Sequence, residues 1–335
     1  MKGKNGLILI FASMSMLLLI FDSKTALTGA KYGIDMCINA IIPSLLPFFF
    51  LSILLTGSIL GVKSSFFRPL GRLLRIPSGS EPLVLIGLLG GYPVGAQCIS
   101  QAYENGQLQS KDAERMLAFC NNCGPAFLFG ILSGFFDEMW MLWALWGIHI
   151  LSALLVGMTI PGQSVSVSAV SGRKISVTQT LQRSISVMAQ VCGWVILFRM
   201  LIAFLDRWVG FLLPNMAKSS LWGLLELANG CFSLSAVADV GARFILCSAM
   251  LSLGGLCVAM QTFGVVSSGL SKRLYFPGKL LQCAYATMLS GLVCMLLFDG
   301  NYILPTVFTC ATMLLFLIFF RVFQKNSSIL RPIHV

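Results

Sequence analysis

The chain is short of charge. Only 10% of its 335 residues are Asp, Glu, Lys or Arg, while 57% are hydrophobic. Soluble domains carry roughly 25% charged residues, and no soluble core of this size needs so apolar a composition. An integral membrane protein is expected. Histidine is scarce as well, with 2 in the chain. Cys120-x-x-Cys123 has no second pair and no nearby His, so neither a zinc set nor a redox pair is expected, and no cofactor. No phosphate-cradling loop ends in a lysine, and no nucleophile, base and acid come together in the pattern. Enzyme activity is not expected.

Acids are scarcer than bases. Twelve Asp and Glu face 23 Lys and Arg, giving a net charge of +11. The basic residues stand in short clusters between apolar runs, as cytoplasmic loops do, so a nucleic-acid partner is not expected. The eleven cysteines are scattered, mostly within apolar runs. Buried free Cys behaves as a small hydrophobe, and no disulfide framework follows.

What the chain does have is a series of apolar runs, several of them broken. Leu7–Phe21 follows Lys2 and Lys4 and reads as a first membrane segment, with a cleaved signal peptide as the competing reading. A second span runs from about Asp35 to Leu60 and ends at Lys63, Arg68, Arg72 and Arg75. Then come GLLGGYPVGAQ (Gly87–Gln97) and FCNNCGPAFLFG (Phe119–Gly130). Gly90, Gly91 and Pro93 break the first, and Gly124 and Pro125 break the second. Broken backbone at membrane depth is tolerated only where protein or water covers it. Met139–Ile160 and Ser184–Leu205 are cleaner spans, separated by a polar loop at 161–183. Leu221–Ala238 is interrupted, Ala242–Ser268 is broken at Gly254 and Gly255, and Tyr275–Phe298 and Tyr302–Phe320 complete the set.

The order of span, broken hairpin and broken helix occurs twice, in about Asp35–Phe136 and Ser184–Ser268. Gly87-Leu88-Leu89 stands where Gly223-Leu224-Leu225 stands. The fold expected is an all-α integral membrane bundle of two inverted repeats, each with a re-entrant hairpin and a broken transmembrane helix. The divisions are residues 1–34, 35–160, 161–183, 184–320 and 321–335. Placing all the basic loops and both termini in the cytoplasm requires each hairpin to return to its own side. Paired broken segments in inverted halves point to a transporter with a midplane site; the alternative is that Gly and Pro are simply common in membrane helices.

GGYPVGA, Ala113–Gly130, GLLELANG (Gly223–Gly230) and LSLGGLCVAMQ (Leu251–Gln261) together resemble the YlbJ/SpoVV-type sporulation integral membrane proteins. These belong to the wider group with nucleoside-recognition Gate domains. The resemblance spans roughly residues 30–320. It implies a fold similar to concentrative nucleoside transporters and a role in endospore formation. It also implies dipicolinic acid as solute, carried across the outer forespore membrane. The substrate comes from the resemblance and not from residue spacing.

The candidate substrate-binding residues are Tyr92, Gln97, Asn121, Asn122, Arg199, Glu226, Asn229 and Gln261. Asn121 and Asn122 lie at a break, where their amides either bond a solute or satisfy freed backbone. Helix N-termini at such breaks favour anions. Tyr92 either stacks on an aromatic solute or packs on the next helix. Glu226 is a carboxylate in an apolar stretch, which is a functional candidate by default, with Asn229 on the same face. Arg199 either pairs with Glu226 or an anion, or snorkels to the interface. His149 reads as a packed residue, and Asp239 and Arg243 as a loop–helix pair. The partners expected are the bilayer, a small anionic solute and a coupling ion, H⁺ or Na⁺. A nucleoside transporter and a non-transporting sporulation scaffold remain alternatives.

Overall fold

The computed structural model describes residues 2–59, 66–162 and 176–297, together with 302, 306, 307, 310 and 311. The candidate span Tyr302–Phe320 is described only at those last five positions. Lys63 and the C-terminal tail fall outside the described residues. Every regular element among those described is helical.

Helix α1 (Lys2–Phe21) leads into α2 (Ser23–Met36). Asp22 caps α2 by accepting from the Thr25 amide at 3.3 Å, so this span begins ahead of Asp35. A π-helical turn, Cys37–Ile41, joins α2 to α3 (Ile42–Ile59). The turn precedes Pro43 and Pro47, which cannot donate to the ladder. The Ser44 hydroxyl bonds back into the preceding turn, donating to the Ala40 carbonyl at 2.7 Å and lying 3.2 Å from that of Ile41.

Five stretches are long and apolar enough to cross a membrane: Ser23–Leu55, Met139–Thr159, Val177–Trp208, Val240–Val265 and Tyr275–Leu297. The protein is a multi-pass helical membrane protein. Between the spans lie short helices. After α4 (Arg68–Leu74) come α5 (Glu81–Leu89), α6 (Val94–Glu104), α7 (Ser110–Leu117) and α8 (Pro125–Ile131). The span α9 (Met139–Thr159) closes this half.

A second group of helices follows. Its opening span is α10 (Val177–Trp208). The polar stretch before Ser184 is already helical from Val177, and the Thr180 and Ser184 hydroxyls find partners within the helix by bonding back to the carbonyls of Ser176 and Thr180. Next come α11 (Asn215–Leu225), α12 (Leu227–Ser233), α13 (Val240–Leu253), α14 (Gly255–Val265) and α15 (Tyr275–Leu297).

The opening spans of the halves run antiparallel. Gly29 and Gly33 of α2 let α10 come so close that an added Cβ on either would sit 2.9 Å from the Cα of Met200 or Ile196. This is the small-x-x-x-small contact that membrane helices use in place of hydrophobic burial. Asp22 meets Arg207 at 3.3 Å at one end, and the Cys37 thiol reaches the Cys192 carbonyl at 3.8 Å further along.

Each half folds a hairpin on a pair of glycines. A Cβ on Gly95 of α6 would lie 2.9 Å from the Gly87 Cα of α5, and one on Gly230 of α12 would lie 2.2 Å from the Gly223 Cα of α11. Residues seven or eight apart in one straight helix would be roughly 10–12 Å apart, so both segments turn back on themselves.

Candidate functional site

The helices stop where the local chemistry cannot continue them. Helix α5 ends at Leu89, and Gly91 adopts φ +82° before α6 resumes at Val94. Helix α7 ends at Leu117, and α8 starts on Pro125, which needs no amide partner at a first turn. Between α11 and α12 the break is Glu226 alone, in an extended conformation. Between α13 and α14, Gly254 and Gly255 take φ +79° and +77°.

The breaks pack against one another. A Cβ on Gly124 would lie 2.9 Å from the Gly91 nitrogen, and one on Gly255 would lie 2.6 Å from the Gly223 carbonyl oxygen. The two halves then interlock. Tyr92, in the first break, donates to the Leu251 carbonyl just before the fourth.

A narrow cleft of about 40 Å³ lies between the halves. It is lined from one side by Leu45, Gly91, Tyr92, Cys123, Gly124 and Phe127, and from the other by Val191, Val195, Glu226, Ala228, Val258 and Gln261. Of the candidate residues, Tyr92, Glu226 and Gln261 meet here. Gln97 does not. It lines a second, wider cavity of about 200 Å³ with Ser100, Gln101, Glu104, Arg183 and Ser186. The two cavities lie along one seam. On α10, Val187 lines the wide cavity and Val191, one turn on, the narrow cleft. On α14, Val265 and Gln261 divide in the same way.

Asn121, Asn122, Arg199 and Asn229 are outside the cleft lining. The two asparagines hold the second break together. Asn121 Nδ2 donates to Thr262 Oγ1 at 2.8 Å, and Asn122 Nδ2 donates to the freed Phe119 carbonyl at 2.7 Å. Asn229 donates to Glu226 from its backbone at 2.7 Å and from its side chain at 2.6 Å, and the Ala228 amide adds a third bond at 3.1 Å. Glu226 thus caps α12, where a carboxylate suits the positive end of the helix. Arg199 and Glu226 do not form an ion pair. The guanidinium stacks 4.5 Å over the Tyr32 ring. Asp239 caps α13 and accepts from the Tyr302 hydroxyl, while Arg243 donates to the carbonyls of Val237 and Phe135.

His149, read from the sequence as a packed residue and buried here, and two residues that the sequence reading did not name, Lys279 and Gln282, complete the centre. His149 Nε2 accepts from the Cys123 amide at 2.9 Å, so the ring proton is on Nδ1, which faces Ser252 Oγ at 3.3 Å. One imidazole therefore joins the second break to the approach of the fourth. Lys279 donates to the Asn121 carbonyl and to Gln282 Oε1, and Gln282 Nε2 donates to Asn122 Oδ1. A lysine inside the apolar span Tyr275–Leu297 is a signal readable in the sequence.

The fold and these breaks define a multi-pass helical membrane protein with a narrow cleft among its broken helices. The chain is 27% identical over 320 residues to the sporulation integral membrane protein YlbJ of Bacillus subtilis (strain 168), an alignment covering 80% of this chain and 78% of that protein. This similarity supports placing the chain among the YlbJ-type proteins. No family profile matches the chain, and no solved structure matches it.

Proposed function

We propose that the protein carries a small anionic organic solute across a membrane during sporulation, by alternating access, with dipicolinic acid as the solute and the outer forespore membrane as its place. The carrying observation is the cleft at which the first three breaks meet, with each half supplying one wall. Concave sites at the junction of two units, mostly apolar with a few convergent polar groups, are where small molecules bind. Tyr92 offers an aromatic face, Gln261 a side-chain amide, and Glu226 a carboxylate already held by the Ala228 and Asn229 amides.

At about 40 Å³ the cleft holds about three waters. A dicarboxylate needs more room, so one half must move against the other. The wider polar cavity at Gln97 and Arg183 is then the cytoplasmic mouth, and the single helical turn between Val187 and Val191 is the barrier that opens. The halves are read as inverted repeats with re-entrant hairpins. The antiparallel α2 and α10 and the matched crossings Gly87–Gly95 and Gly223–Gly230 support that reading.

Deleting the gene tests the physiological half of the proposal. The expected result is spores poor in dipicolinate, restored by dipicolinate added outside. Normal dipicolinate content would remove the solute assignment.

A further inference from the structure

Lys279 stands one turn inside α15, where a lysine usually reaches out to water along its own helix. It does the opposite. The residue is 1% exposed, and its Nζ lies between Asn121 of the second break and Tyr92 of the first. An intramembrane charge is costly and marks function by default. No carboxylate among the described residues lies within ion-pair distance of it.

The ammonium is instead solvated as an ion is. It donates to the Asn121 carbonyl, which is unwound backbone, and to Gln282 Oε1 at 2.8 Å, and it lies 5.1 Å over the Tyr92 ring. Gln282 is held with its oxygen towards the ammonium because its nitrogen donates to Asn122 Oδ1 at 2.9 Å. Freed carbonyls at broken helices are the groups that coordinate a coupling cation in transporters of this architecture, and an aromatic face adds to cation binding.

We propose that the second break is a monovalent-cation site whose occupant is the chain's own Lys279 ammonium. The site needs no free Na⁺, and the charge stays with the protein through the cycle. Tyr92 has one face on this cation and also lines the cleft, so the fixed charge sits directly behind the wall that a solute would touch.

The test is thermal unfolding of the purified full-length protein in detergent, in Na⁺, K⁺ and choline chloride at equal ionic strength. The wild-type midpoint is expected to be the same in all three. Lys279→Met, similar in length but uncharged, is expected to unfold earlier in every salt. Lys279→Ala, which vacates the site, is expected to unfold earlier in choline and to be restored in part by methylammonium or Na⁺ and not by tetramethylammonium. Stabilisation of the wild type by Na⁺ over choline would overturn the proposal. So would a Lys279→Met protein as stable as wild type, or a Lys279→Ala protein indifferent to small cations. If neither variant can be purified, the wild-type comparison alone decides. A second arm, solute uptake in proteoliposomes, rests on the transport proposal. Uptake is expected to be unchanged when Na⁺ is replaced by choline, and Na⁺-driven uptake would overturn the inference. Absence of any uptake would count against transport and leave the unfolding result to stand.

Discussion

The Tyr92 hydroxyl donates to the Leu251 carbonyl at 2.7 Å, and this bond joins a break in one half to a break in the other across 159 residues. The Leu251 carbonyl is one of the last four acceptors of α13, left without an intrahelical partner when the helix stops at Leu253. Removing the hydroxyl with Tyr92→Phe keeps the ring and orphans that acceptor. A loss of about 1 kcal/mol is expected, read as a lower unfolding midpoint in detergent. An unchanged midpoint would mean that the halves do not depend on this bond.

The glycine crossings make a sharper contrast. A Cβ on Gly95 would lie 1.8 Å from the Cys120 carbonyl oxygen, and one on Gly87 would lie 2.0 Å from it. Backbone cannot yield as a side-chain tip can. Gly95→Ala and Gly230→Ala are expected to abolish recovery of folded protein. Gly147→Ala and Gly193→Ala, inside α9 and α10, meet nothing within 4 Å. These two should be neutral or stabilising by up to about 1 kcal/mol. Size-exclusion profiles of the four variants check the contrast.

Glu226 has a capping duty apart from any contact with solute. Glu226→Ala removes the acceptor for the Ala228 and Asn229 amides, and losing a cap costs roughly 0.5–2 kcal/mol. Glu226→Gln keeps one side-chain oxygen and should fall between alanine and wild type. The order of the three unfolding midpoints is the measurement, and alanine equal to wild type would contradict the capping role.

Arg115 is 4% exposed and ties three elements together. Its guanidinium donates to the carbonyls of Leu74 and Arg75 at the end of α4, and to those of Gly157 and Ile160 at the end of α9. A lysine has three donors on one point and no planar fork. Arg115→Lys is expected to lose at least about 2 kcal/mol, since bonds from a charged donor are worth roughly 1.5–3 kcal/mol each. A stability within 0.5 kcal/mol of wild type, by chemical denaturation, would contradict this (about the noise of surface substitutions).

The membrane class was legible because long apolar runs with basic edges have one physical solution in a bilayer. The break positions were legible because Gly90-Gly91, Gly124-Pro125 and Gly254-Gly255 carry their own backbone chemistry. The side-chain partners were not. Nothing in the spacing says that Asn122 turns to the Phe119 carbonyl while Tyr92 reaches across to Leu251. Those choices depend on how two halves far apart in sequence meet. Arg199 and Glu226 looked like partners because both are charges in apolar runs, yet the nearer face of Tyr32 holds the arginine. Lys279 was readable on the same grounds as Glu226, as a charge in an apolar span. The early start of α10 was hidden because serines and threonines that bond back into a helix look like loop residues.

Uptake of dipicolinate into proteoliposomes holding the purified protein tests the central claim most directly. Saturable accumulation above empty liposomes is expected, with nucleosides neither accumulating nor competing, and with Tyr92→Ala weakening uptake. A stable, correctly folded protein that accumulates no dipicolinate would contradict the account, and nucleoside uptake in its place would reassign the cleft to a different solute.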